Sequence, residues 1–230
     1  MNITDSLFEA ALKCSTKCFL LSLGETGRDN SYANWVRTQT ESYRALGIQG
    51  LMAGVAHNEP NIGALGSENL KSAEWRVAMD VTARAQNQEC SLHAVERIPS
   101  NARGQPAQII PIRFIFTNKL ARDDKLRLAF DALVLSETLS REISFGKIIH
   151  GDNYASLKLR IAALTSEVRK LTRKIANLLS SNSPPDLVLN RHCSVCEFQV
   201  RCRQKAIEKD DLSLLSRMTE KERKKFNGED

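Results

Sequence analysis

The chain has 230 residues, 42% of them hydrophobic, and 33 basic against 27 acidic side chains leave a formal charge of +6. That length holds one sizeable domain or two small ones. No stretch reaches the roughly 20 uninterrupted apolar residues of a membrane span, and Asp5 and Glu9 stand where a secretory leader would be basic and then apolar. The expectation is a cytoplasmic globule with no membrane partner, whose mild basic excess suits an anion such as nucleic acid without requiring one.

Thr4 or Asp5 caps a first helix running to about Leu23, where Leu7, Ala11, Cys14 and Cys18 recur at helical spacing and set two thiols on one face. Residues 24–30 are polar. Residues 32–51 and 70–86 read as further helices, separated by a connection at 58–66 that contains Gly, Asn and Pro. Near Ser91 the rhythm changes: 91–98 and 108–117 are short runs rich in Val, Ile and Phe, joined by a polar loop with Pro99, Gly104 and Pro106, and they read as a strand pair.

Residues 123–139 then form a helix, 143–150 a strand and 156–179 a long helix. In the last, Leu157, Ile161, Leu164, Val168, Leu171, Ile175 and Leu178 advance in steps of four and three, while Lys158, Arg169, Lys170, Arg173 and Lys174 lie outside that register. Three heptads inside a mixed domain favour a core-facing amphipathic helix over a coiled coil. Its basic residues either track phosphates or form a solvated face. Pro184 and Pro185 break the helix. The segment 206–230 is highly charged, with a small apolar set at Leu212, Leu214, Leu215 and Met218, and is expected to lead into a further domain of a longer protein.

Six cysteines are too few for a disulfide scaffold of this length, so their spacing carries the information. Cys193, Cys196 and Cys202 form a C-x2-C-x5-C run, and three thiolates within ten residues can turn around one soft metal centre. A fourth ligand is needed: His192 is adjacent, and Cys14 and Cys18 lie at the other end of the chain. No second C-x2-C pair stands nearby, as a local zinc knuckle would have. Cys90 has no partner at useful spacing and reads as an inert buried residue.

One cysteine in an N-terminal helix, followed after a whole domain by C-x2-C-x5-C, resembles the iron-sulphur-stapled RecB-like nucleases of the CRISPR-associated-exonuclease type. Their N-terminal cysteine stands in a C-P-R-K-aromatic-aromatic segment. Cys14-Ser15-Thr16-Lys17-Cys18-Phe19-Leu20 is similar to it, with Lys17 and Phe19 in register and Ser15 in place of the proline. Phe130-Asp131-Ala132-Leu133-Val134-Leu135-Ser136-Glu137 and Leu187-Val188-Leu189-Asn190-Arg191-His192-Cys193 resemble the N-terminal part of large bacterial RecB-like nucleases. The resemblance implies an α/β restriction-endonuclease-like PD-(D/E)XK core over 1–205, with a helical N-terminal half and a C-terminal cysteine-cluster region. It also implies a 4Fe-4S cluster on Cys14, Cys193, Cys196 and Cys202, with Cys18 the alternative to Cys14.

An active member places a carboxylate on one core strand and Glu-x-Lys on the next, to hold Mg2+ or Mn2+ and to position the attacking water. In Leu92-His93-Ala94-Val95-Glu96-Arg97-Ile98, Glu96 takes the place of the aspartate. In Pro111-Ile112-Arg113-Phe114-Ile115, Arg113 and Ile115 replace the Glu and the Lys. A guanidinium cannot ligate Mg2+ and Ile115 carries no charge, so the minimal metal site is broken. The Gln and Tyr positions of the following helix fall on Arg127 and Asp131. Asp80 and Asp131 are the acids from which, with Glu96, a site could be rebuilt. His57 is a counterpart of the family's upstream histidine or a solvated loop residue.

Three functions remain open: a DNA-associated module with a structural cluster and a degenerate catalytic motif, binding single strands or ends through Arg169, Lys170, Arg173 and Lys174; an active exonuclease with migrated carboxylates; and a zinc-stabilised interaction domain presenting the heptad helix to a partner protein.

Overall fold

The computed structural model describes residues 2–28, 30–54, 61–62, 75–100, 106–181, 183–215, 218, 220–226 and 228. Two short N-terminal helices stand in place of one. A two-residue strand β1 (Ile3–Thr4) leads into α1 (Asp5–Lys13), capped by the Thr4 hydroxyl, which accepts from the backbone N–H of Leu7 at 3.3 Å. Cys14 then adopts an extended conformation (φ −166°, ψ 125°) and starts α2 (Ser15–Ser22). At the break, the carbonyl of Lys13 accepts from the side-chain amide of Asn190 at 3.1 Å. The two thiols therefore do not share a helix face: Cys18 is fully buried and Cys14 half-buried.

Helix α3 (Ser31–Ala53) follows, capped by the side chain of Asn30. The described residues resume with β2 (Asn61–Ile62), β3 (Val77–Ala85), β4 (Gln88–Ile98) and β5 (Gln108–Ile115). Then come α4 (Arg122–Leu139), β6 (Phe145–His150), β7 (Ala155–Arg160), α5 (Ala162–Ser180), α6 (Gln199–Glu208) and α7 (Glu220–Phe226). The strands form one mixed sheet in the order β2-β3-β4-β5-β6-β7, with β1 beside the start of β4. Strands β3, β4 and β5 run antiparallel in turn, α4 crosses over, and β6 returns parallel to β5.

One expected helix, in its described part, and the start of another are strands. Of the segment 70–86, residues 70–74 lie outside the described residues and Val77–Ala85 is β3, paired from Val77↔Glu96 to Ala85↔Gln88. Asp80 has a left-handed backbone (φ 50°), so Ala78 and Val81, three apart, both reach the same core and the alternation that marks a strand is interrupted. Residues 156–160, expected as the start of the long helix, belong to β7, with Leu157 and Leu159 turned inward and Ser156, Lys158 and Arg160 exposed. Leu157 matched the helical stripe only because it precedes Ile161 by four. The rest of the stripe holds: Ile161, Val168 and Ile175 are buried and Leu164, Leu171 and Leu178 pack against the same core, so α5 is a core-facing helix lying against α1, α2 and α4.

The two sheet faces are covered unequally. On one, α1, α4 and α5 enclose the main core, where Phe8 and Phe130 stack at 4.3 Å between ring centroids. On the other, α3 closes over Ala94, Ile112 and Phe114. It can lie so near because Gly47 has no side chain: a Cβ there would stand 2.4 Å from the Phe114 ring. Among the described residues, no helix is long and apolar enough to cross a membrane.

Candidate functional site

The extended residue between α1 and α2 and the turn before α6 bring the two ends of the described chain together. Besides the Asn190 to Lys13 bond, Lys17 Nζ donates to Glu197 Oε2 at 2.9 Å and the N–H of Arg28 donates to the carbonyl of Glu197 at 2.9 Å. Cys193 opens a 3-10 turn (Cys193–Val195), Cys196 ends it, and Cys202 lies on α6. Cys14, Cys193, Cys196 and Cys202 line one cavity of about 840 Å³; Cys18 does not line it.

Burial pushes the Cys193, Cys196 and Cys202 thiols up, Cys196 to about 11, and the neighbouring Cys14 thiol adds to the effect at Cys193 and Cys202. Cys193 Sγ accepts the backbone N–H of Asn190 at 3.2 Å. These groups suit a soft centre, whose positive charge would lower each thiol's pKa and draw off its proton. A single zinc ion with Zn–S near 2.3 Å would bring four sulphurs to about 3.8 Å of one another. Among the described residues, no three His, Cys, Asp or Glu side chains converge to hold an ion. Cys18, the alternative fourth ligand, sits in the core with its thiol pushed up to about 11 by burial.

The three carboxylates from which a nuclease metal site could be built do not meet. Each has its own cation. Glu96 accepts from Lys147 Nζ on β6 at 2.7 Å and lies 3.6 Å from Arg76 Nη2. Asp80 pairs with Arg44 of α3. Asp131 lies on the other sheet face, fully buried, and is held by Arg113 through Nε to Oδ2 and through Nη2 to Oδ1 at 2.8 Å.

Arg113 is 1% exposed, and its Nη2 also reaches Asp5 Oδ1 at 2.6 Å. Arg127 continues the network to Asp5 Oδ2 at 3.3 Å and to Glu9 at 2.9 Å. Burial opposes the Arg113 charge, yet Asp131 and Asp5 hold its pKa above the ordinary value. Burial pushes Asp131 up to about 6, with Arg113 pulling the other way. The guanidinium cannot give up its proton, so the pair is ionic at neutral pH.

The sheet is distorted beside this network. The ladder between β4 and β5 ends at Ala94↔Ile112, and the N–H of Phe114 donates to His93 Nδ1 at 3.1 Å instead of to backbone. Burial holds His93 well below its usual pKa, and Arg113, Arg44 and Arg127 add to this, so it stays neutral and able to accept. Cys90 is buried, its Sγ 3.9 Å from the Asp131 carbonyl. His57 lies outside the described residues.

Arg169, Lys170, Arg173 and Lys174 are all exposed on the outer side of α5, away from its apolar stripe. Lys158 belongs to β7, over the Phe145 ring at 4.3 Å. The sequence reading missed Asp5, Arg44 and Lys147 as charge partners. They stand 108, 36 and 51 positions from Arg113, Asp80 and Glu96, and separations of that size leave no mark on local spacing.

No family model matches the chain, and no curated protein does. A solved structure, the crystal structure of SSO0001, is similar at 14% identity and a TM-score of 0.34, over 72% of this chain and 96% of that one. At that score the likeness carries no residue and no activity across.

Proposed function

We propose that this chain is a DNA-associated module of RecB-like nuclease type, with a PD-(D/E)XK-like core, a structural 4Fe-4S cluster on Cys14, Cys193, Cys196 and Cys202, and a degenerate catalytic centre. The observation that carries the reading is the single cavity lined by four thiols drawn from the two ends of the described chain. A four-iron cluster gives each of four thiolates its own iron and so spans wider sulphur spacing than one zinc ion does. The order of three antiparallel strands, a crossover helix and a parallel strand supports the core assignment.

The alternatives have less support. An active nuclease needs free carboxylates around one point, and Glu96, Asp80 and Asp131 are each paired with a different cation on two sheet faces. An interaction domain built on the heptad stripe needs that stripe exposed, and it is packed in the core.

Anaerobic purification with iron and sulfide analysis tests the cluster. The protein should be brown, and Cys14→Ala should bleach it and open the 190–202 segment to proteolysis. Stoichiometric zinc instead of iron, or a Cys14→Ala protein that keeps its iron while Cys18→Ala loses it, would refute the ligand set. The intact protein should bind single-stranded DNA and leave it uncut with Mg2+ or Mn2+. Cleavage abolished by Glu96→Ala would restore the active nuclease.

A further inference from the structure

Two features of the surface remain without a role. Tyr32 and Trp35, on the first turns of α3, are 53% and 51% exposed. They stack on each other with ring centroids 5.8 Å apart, and the edge of Phe116, just past β5, meets Trp35 at 6.3 Å and 89°. The indole is thus held in place with half its surface in water.

The second feature is a set of cations. Among the described residues, Arg169, Lys170, Arg173, Lys174 and Arg191 meet no carboxylate at ion-pair distance; Arg173 donates to the Arg169 carbonyl and Arg191 to His192. The first four span about 7.5 Å of helix axis at 1.5 Å per residue. Such a row is costly unless solvated or neutralised by a polyanion.

Each feature has a member on one of two cavities that share part of their walls. A cavity of about 650 Å³ beside α5 is lined by Lys174 and Arg191, and the cavity of about 840 Å³ that holds the cysteines is lined by Tyr32 and Phe116. The two cavities share Lys13, Cys14, Asn190 and His192 in their walls; Arg169, Lys170, Arg173 and Trp35 line neither. Lys13 and Lys17 on the walls are paired with Asp123 and Glu197, while Lys174 and Arg191 on the first cavity and Arg37 on the second meet no carboxylate at ion-pair distance among the described residues.

We propose that a single strand of nucleic acid lies across this face, passing over the cysteine-lined cavity and not through the volume given to the cluster, with its phosphates on Lys174, Arg191 and the neighbouring cations of α5 and its bases stacked on the aromatic ledge of Tyr32 and Trp35. This deepens the DNA-binding reading above and rests on it. A basic track ending in exposed aromatic faces is what a strand with unpaired bases recognises, while a duplex keeps its base faces within its own stack. Stacking tolerates any base, so the site reads strandedness and not sequence.

The experiment titrates the intact protein with an oligothymidylate of about 15 nucleotides and follows tryptophan emission. Trp75 is 1% exposed, so quenching reports Trp35. Binding should quench the emission. Tyr32→Ala with Trp35→Ala should weaken single-strand affinity by about 5- to 100-fold and leave the salt slope unchanged. Circular dichroism and the buried emission of Trp75 in that variant report whether the fold is kept. Saturable binding with no change in emission, or a duplex of the same length bound as tightly, overturns the aromatic ledge. If the fourfold Gln variant of α5 then flattens the salt slope, the ledge fails while DNA binding stands. An absence of any binding sinks both.

Discussion

Replacing Arg113 with Met tests whether the charges at the centre of this fold hold each other in place. Arg113 and Asp131 are each about 1% exposed, and the guanidinium makes two hydrogen bonds to Asp131 and one to Asp5. Removing one member of a buried pair costs about 3–5 kcal/mol, because the other charge is left without partner or water. Asp5 keeps Arg127 and some solvent, so the penalty falls on Asp131. A midpoint shift of about 1–2 M in urea follows for a chain of this size.

The sign with pH is fixed by that same carboxylate. Burial already raises the folded Asp131 pKa to about 6 from its ordinary 3.8, and loss of the guanidinium raises it further. The folded variant then binds a proton that the unfolded chain releases above pH 4, so its stability falls as pH rises from 4 through that raised value. The deficit against the parent should be smallest near pH 4.5 and largest above pH 7. Combining Arg113→Met with Asp131→Leu removes both charges and should return all but about 1–2 kcal/mol of the loss. Urea denaturation of parent, single and double variants at two pH values measures this. A single variant that loses under about 1 kcal/mol at high pH, or a double variant no better than the single, would refute the reasoning.

Gly47→Ala should destabilise by about 1–3 kcal/mol in urea, since the new methyl group would fall within the ring of buried Phe114. Changing Arg169, Lys170, Arg173 and Lys174 to Gln should weaken DNA binding and reduce the slope of log affinity against log salt; an unchanged slope would make them a solvated face. The hydrogen bond from Arg223 holds Asp211 down to about 2 against the opposing effect of burial, with Ser213 helping, so its contribution is full above its ordinary pKa of 3.8 and lost as pH falls through about 2. Asp211→Asn should therefore flatten acid unfolding in that window, and an unaltered acid transition would show that the pair does not hold α7.

The sequence by itself determined what depends on neighbours: the C-x2-C-x5-C run, the β4 and β5 strand pair, α4, the apolar stripe of α5 with its basic outer face, and the absence of a Glu-x-Lys pair on β5. Those follow from periodicity and side-chain chemistry within ten or twenty residues. Where a local pattern was interrupted or shared, it misled. Asp80 breaks the alternation of β3, Leu157 fits both a strand and the stripe that follows it, and helical spacing set Cys14 and Cys18 on one face although the chain bends at Cys14.

The resemblance ranked Cys14 above Cys18, and the tertiary structure shows why only Cys14 reaches the C-terminal turn: a bond from Asn190 to the Lys13 carbonyl, 177 positions away, is made at the break between α1 and α2. It also decided the fate of the acids. Glu96 and Asp80, on β4 and β3, pair with Lys147 and Arg44, while Asp131, on α4, is buried on the other sheet face with Arg113, so packing gives each acid its own cation and keeps the three apart. A charge takes its nearest partner in space, and that partner is set by packing.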